Sequence, residues 1–101
     1  MSLTKTTDTE EVVEEVLLYS ARYMNVPYRS VIGKTRNRRC VAARAMAMVY
    51  AVKQGHTLED VADAFDMDHS TVFYHREKHE VRLRDDTIYR SAWENVVREL
   101  E

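Results

Sequence analysis

One cysteine, one proline and two glycines in 101 residues leave this chain with few of the devices that staple or break a polypeptide. Cys40 alone cannot form an internal disulfide, which removes the disulfide-framework class and fits a reducing cytosol. Alternating β-branched runs are missing, so strands are not expected and an all-α fold is. No apolar stretch approaches the roughly 18 residues that a membrane helix needs, and no leader-like segment is seen. A cytoplasmic protein with no membrane contact is therefore expected. Hydrophobic residues make up 45% of the chain, enough for one core and one small domain.

An excess of positive charge is missing too. The formal net charge of −2 argues, taken alone, against a nucleic-acid partner. The distribution argues the other way. Residues 1–20 hold Lys5 against five acids, whereas residues 21–50 hold seven cations and no acid. Five of those cations fall between Lys34 and Arg44. A near-neutral total thus hides a basic patch, and binding is favoured over a merely solvated face.

Residues 1–8 are polar and expected to be mobile, which leaves 9–101 as the folded domain. The apolar spacing then predicts a helix from Thr9 through Met24, with Val12, Val13, Val16, Leu17 and Tyr23 inward. Asn25-Val26-Pro27 stops it. A short helix follows over Tyr28–Ile32, with Gly33 placed to end it in a left-handed conformation. After the basic loop, a helix over Arg38–Gln54 carries Val41, Ala45, Met48, Val49 and Val52 inward, with Gly55 at its end. Asp86-Thr87 opens a last helix with Ile88, Trp93, Val96, Val97 and Leu100. About six helices in one compact bundle are expected, without a repeat or low-complexity tract.

The segment between carries the chemistry. Thr57 with an acid three residues on, then Leu58, Val61, Ala62 and Phe65, predicts a short capped helix. A turn at Asp66-Met67 leads to Asp68-His69-Ser70-Thr71-Val72, the start of a second helix that Asp68 is placed to cap. Together they form a helix-turn-helix, with an ordinary helical hairpin as the alternative. His69, Ser70 and Thr71 project hydrogen-bonding groups from a helix N-terminus, where open N–H groups and the helix dipole favour phosphate.

With Asp68-His69-Ser70-Thr71-Val72, the helix Ala43-Arg44-Ala45-Met46-Ala47-Met48-Val49-Tyr50 and the loop Lys34-Thr35-Arg36-Asn37-Arg38-Arg39, the chain resembles the C-terminal DNA-binding domain of DnaA, the bacterial replication initiator. The resemblance runs from about Glu10 to the C-terminus. It implies base contacts from Asp68, His69 and Ser70, and an arginine inserted in the minor groove, Arg36 or else Arg38. It further implies phosphate contacts from Thr71, Thr57, Lys34, Arg38 and Arg39, which add affinity but little sequence information. Three departures stand out. Ser70 falls where many relatives carry Thr, Asp66-Met67 is shorter than the usual glycine-rich turn, and Glu59 replaces a Pro that touches DNA. A duplex site like the DnaA box, but not identical to it, is the expected partner.

Rival chemistries fit worse. His75 and His79 stand one turn apart, but Arg76 follows where a zinc peptidase has Glu, and no third ligand is evident. Ile32-Gly33-Lys34-Thr35 ends like a phosphate-binding loop, yet Tyr28 occupies the place of its first glycine. Met46 and Met48 read as core packing. Arg44, inside a helix, reads as the partner of a buried acid. No enzyme, metal, nucleotide or other cofactor is expected. The expected role is replication initiation or its regulation without an ATPase, with a module contacting an initiator protein, or a transcriptional regulator, as alternatives.

Overall fold

The computed structural model describes residues 5–101, with side chains from Thr9 onward. Six helices follow in order: α1 (Lys5–Met24), α2 (Tyr28–Ile32), α3 (Arg38–Lys53), α4 (Leu58–Phe65), α5 (His69–Asp85) and α6 (Thr87–Leu100). Among the described residues there is no strand. Helix α1 begins four residues ahead of the expected Thr9. The expectation of a mobile segment over residues 1–8 falls, for residues 1–4, outside the described residues.

Three helices end in the same way. Val26 N–H bonds to Ala21 O (3.0 Å), His56 N–H to Ala51 O (3.1 Å) and Met67 N–H to Ala62 O (2.9 Å), each closing the paired-bond Schellman stop. The left-handed residue it requires is Asn25 (φ 60°), Gly55 (φ 103°) and Asp66 (φ 55°) in turn. Gly55 takes the role expected of it. Gly33 does not: its φ is −96°, and Lys34 carries the positive φ instead (54°). A Cβ at Gly33 would sit 2.9 Å from the Arg29 carbonyl oxygen, so glycine is needed here for close backbone approach.

Helix α3 is the hub. Every residue from Ala43 to Ala51 is buried, so the helix is enclosed on all sides and not along one stripe. The expected inward set is corrected accordingly: Val41 and Val52 are half-buried, while Met46, Ala47 and Tyr50 join Ala45, Met48 and Val49 inside. Alanines at 43, 45, 47 and 51 let neighbouring helices approach closely. Ser20 donates to the Ala43 carbonyl (3.1 Å), joining α1 to α3. In α6 the buried stripe is Tyr89, Ala92 and Val96, which turns Ile88 outward at 56% exposure. Val12, Tyr23, Trp93 and Leu100 pack half-buried around the core.

Candidate nucleic-acid interface

Thr57 Oγ1 accepts from Asp60 N–H (3.0 Å) and so starts α4, whose Val61 and Ala62 are buried, as is Val72 of α5. Burying that face fixes the two helices against each other and leaves the outer face of α5 to solvent. Val72, His75 and His79 form the inner stripe; His69, Ser70, Phe73, Tyr74, Glu77 and Lys78 are exposed. Asp68 occupies the N-cap position with an extended backbone (φ −71°, ψ 146°), but its carboxylate makes no cap hydrogen bond. The expected side-chain cap is therefore absent, and Asp68 is exposed. Thr71 is half-buried and, with Asp63, Asp66, Met67 and Asp68, lines an open cleft of about 440 Å³.

The basic loop is ordered from both sides. Asn37 Oδ1 accepts from Arg39 N–H (2.8 Å) and Cys40 N–H (3.4 Å), capping α3. Arg44, only 6% exposed, reaches back to donate to the Val31 carbonyl (2.8 Å) and the Thr35 carbonyl. Its partners are thus backbone oxygens and not the buried acid expected from the sequence. Burial lowers its pKa from the ordinary arginine value.

The loop cations do not form one patch. Lys34 Nζ lies 3.5 Å from the Asp66 carboxylate and 3.4 Å from its carbonyl oxygen, beside the α4–α5 turn. Arg38 and Arg39 instead line a groove with Val81, Arg82 and Asp85 near the end of α5. That is roughly 20 Å along α5 from His69, at about 1.5 Å per residue. Arg39 also donates to the Met24 carbonyl (3.1 Å). Arg36 is exposed, with no hydrogen-bond or ion-pair partner among the described residues.

His75 and His79 point inward. Arg82 donates to His75 Nδ1 (3.1 Å), and His79 Nδ1 pairs with the Tyr89 hydroxyl (2.8 Å), joining α5 to α6. Burial first, then the nearby cations, pushes the His75 pKa down to about 4. Burial likewise takes His79 to about 4. Both imidazoles are neutral in the fold and ionise near pH 6.5 when unfolded, so their contribution is whole above pH 6.5. It is lost as pH falls from 6.5 toward 4. Calorimetry is expected to show Tm falling by roughly 5–10 °C between pH 7 and pH 5, with much of the fall absent in His75→Gln and His79→Gln. An unchanged slope in both variants would contradict this assignment.

The model for the bacterial DnaA protein helix-turn-helix matches residues 13–78, about two-thirds of the chain. The chain belongs to that family. The DnaA match stops at Lys78, so the end of α5 and all of α6 lie beyond it, short of the C-terminal reach expected from the sequence. No curated protein matches the chain. The family is DNA-binding, which makes DNA the partner class. Among the described residues no helix is long and apolar enough to cross a membrane. The exposed rings of Phe73 and Tyr74 directly follow the Asp68–Val72 motif and carry no role expected from the sequence. Their spacing of three and four residues from Ser70 was the available signal.

Proposed function

We propose that this DnaA-family domain binds duplex DNA sequence-specifically by setting the first turn of α5 in the major groove. The observation that carries the proposal is the open first turn: Asp68, His69 and Ser70 are exposed, and the Asp68 carboxylate is not consumed as a cap. Asp68 suits an exocyclic amino donor, and His69 and Ser70 suit base edges of either polarity. Arg36, exposed and without a partner among the described residues, is the minor-groove candidate, with Arg38 as the alternative. Lys34 beside the turn and Arg38 and Arg39 toward the far end of α5 would meet phosphates on either side of the groove. Thr57 and Thr71 keep hydroxyl hydrogens that can serve the same purpose. The role is non-enzymatic and cytoplasmic, in marking or regulating a replication site.

A second reading, a module that contacts an initiator or another protein, draws on the acids around the turn. Glu59, Asp60, Asp63, Asp66 and Asp68 are all exposed there, and Lys34 offsets one of them.

Salt titration separates the two. Duplex binding is expected to weaken with a log–log slope of about −4 to −5, from roughly four to six phosphate contacts at about −0.9 each. Arg36→Ala is expected to weaken A·T-flanked duplexes more than G·C-flanked ones in the same titration. Absent binding at low salt would favour the protein-contact reading.

A further inference from the structure

We infer that Phe73 is a specificity residue that reads the C5-methyl of a thymine; the inference rests on the DNA-reading role proposed above. Phe73 stands one helical turn above His69 and Ser70, on the same outer face of α5. Phe73 is 46% exposed and lies outside the core, so the fold makes little use of its ring. The Arg76 guanidinium sits 5.1 Å from the ring centroid, covering part of it and bringing a cation beside the same face.

What such a ring can read follows from the chemistry of the groove. A phenyl side chain neither donates nor accepts, and placed against guanine N7 and O6, or adenine N7 and N6, it would strip water from those groups without replacing their hydrogen bonds. The thymine methyl is the one apolar group that the major-groove edges present. A helix that carries His69 and Ser70 to base edges carries Phe73 to the same groove floor, one turn farther along. Its low-cost neighbour there is a thymine.

The experiment uses the duplex that the wild-type chain selects from a random pool, with each thymine replaced in turn by deoxyuridine, which removes only the methyl. At one position the wild-type chain is expected to lose about three- to fivefold in affinity, the size of one buried methyl. Phe73→Ala is expected to bind the thymine duplex with the same loss and to show no further loss with deoxyuridine there. Phe73→Leu, which keeps an apolar surface, is expected to keep most of the methyl dependence. Thermal melting of both variants checks the fold, which an exposed ring does little to support.

A Phe73→Ala chain that stays methyl-sensitive at that position overturns the inference. So does a wild-type chain that selects a defined sequence yet responds to no deoxyuridine, an outcome that leaves the DNA-reading role standing. A wild-type chain that selects no sequence removes the underlying role, and this inference with it.

Discussion

His69→Ala is expected to lose about 1–3 kcal/mol, some five- to 150-fold, against the preferred duplex, while binding to unrelated duplexes hardly changes. The asymmetry comes from the division of labour on the surface. His69 is exposed at the first helical position of α5, where the proposed docking would bring its side chain to base edges; the cations proposed to meet phosphates lie elsewhere. Asp68→Asn gives a second view of the same turn. It exchanges an acceptor-only carboxylate for an amide that also donates, so the preferred base at one position is expected to change. Because the Asp68 carboxylate makes no cap hydrogen bond, the melting temperature is expected to stay nearly constant. Competition binding with the selected duplex and single-base variants, beside thermal melts, checks both. Equal losses on specific and unrelated duplexes would mean that His69 only meets the backbone.

Arg44→Met is expected to have the largest effect on stability, about 2–4 kcal/mol, or a fall in Tm of roughly 10–20 °C. The side chain is buried, and it donates to the carbonyls of Val31 and Thr35, which close the α2–α3 connection. Methionine fills similar space and supplies no donor, so both oxygens lose their partner. DNA binding is expected to weaken as well, since the same two bonds order the loop that carries Lys34 and Arg36. Arg44→Lys is expected to recover only part of the loss, because one ammonium cannot match the fork that spans two carbonyls. Melting temperature and salt slope, measured on the same preparations, test this. A Tm change within about 2 °C for Arg44→Met would contradict it.

Much of the architecture was legible because punctuation and period agreed. Pro27 and Gly33 bracket α2 at the residues expected, and Asp86 caps α6 through its bond from Tyr89 N–H (3.0 Å). Thr57 caps α4 as its spacing to Asp60 implied. Helix α3 was harder, because alanine and methionine occur all round it and no stripe distinguishes one face. Only the neighbours that surround it decide which positions are buried. The left-handed residue in the helix-turn-helix carried no glycine signal, since Asp66 supplies it and a short polar side chain tolerates that conformation. Arg44 departs from expectation for a related reason. Its partners are carbonyl oxygens, which every residue has, so nothing in the side-chain sequence marks them.

The candidate site divides in the same way. Asp68, His69 and Ser70 stand exposed together at the start of α5, as the motif implied. The loop cations, adjacent in sequence, are spread along α5 because the α2–α3 connection runs past it, with Lys34 near one end and Arg38 and Arg39 near the other. Linear charge density indicates that a basic surface exists. It does not indicate which end of which helix each cation reaches.

The central claim is that the first turn of α5 reads duplex DNA, and parallel selection from random duplexes by the wild-type chain, His69→Ala and Asp68→Asn tests it most directly. The wild-type chain is expected to enrich one defined sequence, and each variant to change preference at one or two positions within it while the rest is kept. Identical enriched sequences from all three chains, each melting as the wild type does, would contradict the claim.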